Sequence, residues 1–156
     1  MIKINVITNN VKWFNYIKNP NYYLDQKINK INLKYKKYKK NNLFFTLLLS
    51  DDKEIKYLNN KFRKKNKSTD VLSFPFYKKN ELIKKLKNKK EIYLGDIIIN
   101  INKIKKKNEI KNFKKEFDLL WIHGLVHLFG HDHKRDKDYL KMKQVEEKYF
   151  YFVNDR

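Results

Sequence analysis

His123-Gly-Leu-Val-His127-Leu-Phe-Gly130-His-Asp-His133 closes an apolar run, Leu119 to Phe129, that reads as the end of a buried helix. Positions four apart on a helix share one face about one turn apart, so this spacing sets the imidazoles of His123 and His127 side by side. Gly130 can end the helix in a left-handed conformation that residues with a Cβ rarely adopt. The chain then doubles back and brings His133 towards the other two. Three neutral imidazoles converging without an obvious fourth protein ligand form the pattern of a catalytic zinc centre that keeps one position open for water. A lone histidine on an apolar helix is usually an ordinary core or surface residue. Here the chain's only four histidines, His123, His127, His131 and His133, fall within eleven positions. That clustering points to a metal ion held by His123, His127 and His133; His131, beside the glycine turn, either points to solvent or replaces or supplements a ligand.

The H-x3-H-x2-G-x2-H spacing is shared with the metzincin proteases, whose signature has Glu directly after the first His. Gly124 occupies that place. The missing carboxylate is the general base of peptide hydrolysis, so the metal scaffold is present without the protease's base.

Composition bounds the rest. The 156 residues are expected to form one domain that buries about two thirds of its unfolded surface. Absence of cysteine excludes a disulfide framework and a thiolate metal site. The N-terminus lacks the basic-then-apolar order of a signal peptide, and no apolar run is long enough to span a bilayer, so a cytoplasmic protein without a membrane role is expected. A net charge of +21 fits a polyanionic partner. The abundance of Lys, Asn, Ile, Tyr and Phe, with no Ala and three Gly, also follows from A/T-rich codons. The charge supports an RNA partner without establishing one.

Taken in order, Ile2 to Ile7 alternates as a first strand, and Asn9 to Asn21 is irregular. Leu24, Ile28, Ile31 and Tyr35 predict a helix ending near Lys40. Leu43 to Leu49 predicts a strand covered on both faces. Asp51-x-x-Glu54 resembles a capping box opening a helix to Arg63, with Ile55, Leu58 and Phe62 as its apolar stripe. A polar loop leads to a strand at Val71 to Phe76, whose Pro75 places it at an edge or beside a cleft. Tyr77 to Lys90 reads as a surface excursion with a weakly helical core at Leu82-Ile83-x-x-Leu86, and Ile92 to Ile99 as a strand whose Gly95 allows close backbone approach or a bulge. The histidine helix starts near Lys111, and a last helix spans about Asp136 to Phe152 with Tyr139, Met142, Val145 and Tyr149 inward. This order predicts an α+β fold: a mixed sheet of about four strands, packed helices, and the metal helix lying across the sheet. The third strand would wall the cleft and bring Arg63 to Ser73 near the metal.

Three blocks resemble the YbeY family of single-strand-specific endoribonucleases, the rRNA maturation factors of bacteria. They are Leu58-Asn59-x-x-Phe62-Arg63 with Ser68 to Pro75, Leu94 to Ile99, and His123 to His133 with Asp136, Met142 and Glu146 downstream. His131 stands where the family usually has Tyr, and Val126 where it usually has Leu. The resemblance implies a zincin-like α+β fold, one zinc per chain on the three histidines, and cleavage of single-stranded RNA. It also implies work on the 3′ end of small-subunit ribosomal RNA and in ribosome quality control, with Arg63 on the family's catalytic arginine.

A guanidinium can pair with a phosphate through two parallel hydrogen bonds, which suits Arg63; the plainer alternative is a solvated cation at a helix end. Asp132 either orients a ligand imidazole or fixes the turn. Thr69 and Asp70 are expected to fix their loop. No residue stands out as general base, which leaves both water and the RNA 2′-hydroxyl open as nucleophile. The rival classes are a zinc hydrolase of peptides or small molecules, and a ribosome-associated protein with structural zinc.

Overall fold

Leu43, Phe45, Leu47 and Leu49 alternate with Phe44, Thr46 and Leu48, and this alternation sets how the central strand β2 (Asn42–Ser50) sits. The first set is buried and the second is half-buried, so one face of the strand is closed and the other is only partly covered. The expectation of cover on both faces is corrected here. The computed structural model describes residues 1–155. β1 (Ile2–Thr8) and β4 (Glu91–Asn100) flank β2 in parallel, and β3 (Val71–Pro75) runs antiparallel on β4. The order β1-β2-β4-β3 gives the four-stranded mixed sheet of an α+β fold. β3 is an edge strand, where Pro75, lacking an N–H, is tolerated.

Five helices complete the fold: α1 (Pro20–Lys34), α2 (Asp52–Arg63), α3 (Lys79–Asn88), α4 (Ile110–Leu128) and α5 (Asp136–Asn154). α4 packs on β3, β4 and α5, and its Phe113, Phe117, Trp121 and Leu125 are buried with Ile97 and Ile99 of β4 in the main core. On the other sheet face α2 sets Ile55 against Leu72 and Ile98. The metal-candidate helix is tied down by a buried carboxylate. Asp118 accepts from Lys27 Nζ (2.9 Å), Trp121 Nε1 (2.9 Å) and the Tyr23 hydroxyl (3.0 Å). Burial, and then Asp118, pushes the Tyr23 pKa up, which keeps the hydroxyl a donor.

Several boundaries differ from the sequence reading. α1 opens at Pro20, with Asn19 Oδ1 accepting from Tyr22 N at 3.0 Å. Proline at the first helical position loses no hydrogen bond, so the start lies before Leu24. The helix ends at Lys34, and Lys36–Tyr38 is a separate 3-10 turn. The segment read as irregular contains another such turn, Val11–Asn15, whose Trp13 is fully buried and donates from Nε1 to Ser50 O at 3.0 Å. Tyr77 to Lys90 is more than a surface excursion, because α3 buries Leu82 in the core. Phe62 and Tyr139, expected inward, are exposed. Gly95 does make a bulge: φ is 133°, and a Cβ there would lie 2.1 Å from Phe74 O.

Candidate metal centre

The end of α4 builds the centre as its spacing requires. His123 and His127 lie one turn apart, with ring centroids 4.6 Å apart. Gly130 takes φ 83° and donates from its N–H to His127 O at 2.8 Å, which turns the chain back. His133 then stands 5.1 Å from His127 and 5.9 Å from His123, centroid to centroid. One nitrogen from each of the three lies within 4.8 Å of the others, and among the described residues this is the one group of such geometry.

Hydrogen bonds on the far side of two rings fix which nitrogens face inward. His123 Nδ1 lies 2.7 Å from Glu146 Oε1, and His127 Nδ1 lies 2.9 Å from His131 O. A carboxylate and a carbonyl can only accept, so both Nδ1 atoms carry a proton, and in the neutral rings both Nε2 atoms keep a lone pair. Burial, and then repulsion from His123 whenever that ring is protonated, lowers the His127 pKa and so favours its neutral form. The two Nε2 atoms are 3.1 Å apart. Two lone pairs at that separation repel each other unless a proton or a metal ion lies against both. The donor set therefore fits a metal ion on the structure's own geometry.

The neighbouring residues resolve three open points. Asp132 Oδ1 accepts from His133 N at 2.8 Å and so holds the turn. His131 is half-buried instead of solvent-directed. Burial, then Lys79 and Lys37, lowers its pKa, and its main-chain carbonyl is what serves His127. Glu146 was part of the sequence pattern without a role, and α5 brings it to His123 across 23 positions.

Gly124 has a steric cause. A Cβ built on it would lie 2.7 Å from Ile97 Cγ2, on a side chain that is fully buried. The position faces the sheet, so a glutamate there could not reach the histidines' cleft. Glycine inside a helix normally weakens it by about 1 kcal/mol relative to alanine. Here overpacking, typically about 1–3 kcal/mol, opposes that gain. Gly124→Ala is expected to melt a few degrees lower than the parent; thermal unfolding followed by circular dichroism checks the sign, since propensity alone would raise the midpoint.

The histidines line an open cleft of about 960 Å³ together with Arg63, Ser73 and Lys79. Arg63 is therefore brought to the same cleft, as the strand order suggested. It donates from Nη2 to Ser73 O at 2.7 Å, and its guanidinium lies 5.4 Å from the Phe74 ring centroid. It is exposed, yet held in place. The loop from Arg63 to β3 is fixed by Asp52, which accepts from Ser68 Oγ (2.5 Å), Asn100 Nδ2 (2.7 Å) and Asn102 Nδ2 (3.0 Å). Those bonds, led by Ser68, draw the Asp52 pKa down to about 2. Thr69 Oγ1 donates to Asp70 Oδ1 at 3.1 Å, as expected of loop-fixing residues.

β3 turns its odd residues' backbone groups to the open edge. It bonds β4 through Asn100 N to Asp70 O and Phe76 N to Leu94 O, both 2.9 Å. By strand parity Val71, Ser73 and Pro75 point away from β4. Val71 N is taken by Asp70 Oδ1 at 2.8 Å, Ser73 O by Arg63, and Pro75 has no N–H. A peptide adding here as a regular strand would have to displace the Arg63 bond and would find no donor at Pro75.

A family model described as endoribonuclease YbeY matches residues 7–154. The endoribonuclease YbeY of Pelagibacter ubique (strain HTCC1062) is 42% identical over 159 residues, covering 100% of this chain and 99% of that relative. That of Ehrlichia canis (strain Jake) is 34% identical over 150 residues, covering 94% and 88%. The solution structure of TM1509 from Thermotoga maritima aligns with a TM-score of 0.60 at 28% identity, over 98% of this chain and 89% of that one.

Proposed function

The chain belongs to the endoribonuclease YbeY family, and from that premise we propose that it is a zinc-dependent endoribonuclease selective for single strands. In this reading residues 1–156 act as one hydrolase domain in the cytoplasm. Its substrate is ribosomal RNA of the small subunit, in 16S 3′-end maturation and ribosome quality control. The observation that carries the reading is the pair of histidine Nε2 atoms 3.1 Å apart in a cleft shared with Arg63.

His123, His127 and His133 would hold one zinc through their inner nitrogens. The three candidate ligand nitrogens lie within 4.8 Å of one another, and neutral imidazoles are donors that zinc takes. Bound there, zinc supplies Lewis-acid chemistry, polarising a phosphoryl oxygen or acidifying water. Glu146 and the His131 carbonyl keep the protons on the outer nitrogens, so the rings stay oriented. Arg63 has one donor on Ser73 O and offers the rest of its five-donor fork to a phosphate, where charge builds on the equatorial oxygens.

Two rival classes lose ground. A peptidase lacks the base that Gly124 displaces, and the open edge of β3 is partly engaged by Arg63 and Asp70. A structural zinc site would need a fourth protein ligand, and among the described residues the cluster has three. No helix among the described residues is long and apolar enough to cross a membrane.

The test is cleavage of one RNA sequence as single strand and as duplex, with a peptide substrate alongside. Single strands should be cut and duplex left, because a flexible backbone can bend into a recessed cleft. Binding should weaken steeply with salt, as each neutralised phosphate releases counterions. Equal cleavage of duplex, or peptide turnover, would overturn the reading.

A further inference from the structure

The rim of the metal cleft carries a large apolar side chain that the core does not use. Phe76 is 64% exposed, although it directly follows the edge strand and lines the cleft with Tyr77. Its main chain is pinned by the bond to Leu94 O, and its ring meets Tyr77 and Tyr93 edge-on, at centroid distances of 4.9 Å and 5.9 Å. Tyr93 is itself fixed, with its hydroxyl 3.0 Å from Thr46 Oγ1 and 2.5 Å from Asp96 Oδ1. Lys85 Nζ lies 5.8 Å from the Tyr77 ring, and Lys78, Lys79 and Arg63 line the same cleft. A rigid, exposed aromatic group among cations is ill suited to shed water unless a flat anionic ligand covers it.

We propose that Phe76, supported by Tyr77 and Tyr93, is a stacking platform for a nucleobase of the RNA strand whose phosphate lies at Arg63 and the histidines. The proposal rests on the endoribonuclease reading and deepens it, assigning single-strand selectivity to Phe76. Every base has a π face, so stacking works on any sequence, whereas paired bases in a duplex are already stacked on each other. The position of Phe76 and Tyr77 within the cleft, beside Arg63, Lys78 and Lys79, favours RNA over an apolar protein surface.

The experiment measures dissociation constants, before turnover, by anisotropy of labelled oligouridine and of an abasic ribose-phosphate oligomer of the same length. The two probes carry the same phosphates, so their ratio reads base contacts alone. The parent should prefer the oligouridine. Phe76→Leu, apolar but without a π face, should weaken oligouridine binding about 5- to 150-fold and leave the abasic oligomer unchanged. Phe76→Trp should restore the preference. Equal affinity of the parent for both probes would overturn the platform, as would Phe76→Leu binding like the parent. A Phe76→Leu protein that loses only self-association, measured by sedimentation, would overturn it in favour of a protein contact. Base-dependent binding by a protein that cuts no RNA would sink the catalytic reading and leave the platform standing.

Discussion

Arg63→Lys is expected to cut single-stranded RNA about 10²–10³ times more slowly, the usual loss on removing one preorganised transition-state contact. Lysine keeps the charge but not the planar fork that matches phosphate through two hydrogen bonds. The loss should fall on kcat more than on KM, because charge on the equatorial oxygens grows on the way to the transition state. The alternative is a structural one: Arg63 bonds Ser73 O at 2.7 Å and covers Phe74, so it also latches α2 to β3. A lysine ammonium can still donate to that carbonyl, so the latch survives this substitution and the thermal midpoint should hardly move. A variant that cleaves normally would reduce Arg63 to the latch, and one that unfolds would make it essential to the fold.

His127→Ala should empty the centre, while His131→Ala should leave it occupied. His127 is central to the cluster: its Nε2 faces His123 Nε2 at 3.1 Å, and its ring lies nearest both partners. Its loss leaves two imidazoles, one of them exposed. His131 contributes through its main-chain oxygen, which alanine retains. Zinc per chain, measured on both purified variants, should fall close to none in the first and stay close to one in the second. Comparable loss in both would make the His131 side chain a ligand.

What the sequence revealed here depended on how local the cause was. The turn at Gly130 and the pairing of His123 with His127 follow from spacing along one helix, so both could be read directly. Arg63 reached the cleft by strand order, with Pro75 marking the edge. Contacts between distant segments were hidden. Nothing near Glu146 announces that α5 will lay it on His123, and nothing near Gly124 names Ile97 as the side chain it must clear. The spacing of Leu82 and Leu86 marks a weak helix, but the lysines around it hide that α3 buries Leu82 in the core; its N-terminal Lys79 lies where a Cβ on Gly130 would meet it, at 3.0 Å. Pro20 opens α1 behind its Asn19 cap, four residues before the hydrophobic periodicity that marks the helix begins.

Zinc titration of chelator-stripped protein, with cleavage of a single-stranded RNA read at each addition, tests the three-histidine centre most directly. Activity should be absent at the start, rise in proportion to added zinc and level off at one equivalent per chain. Full cleavage in the stripped protein, or no return of cleavage at one equivalent in protein that remains folded, would contradict it.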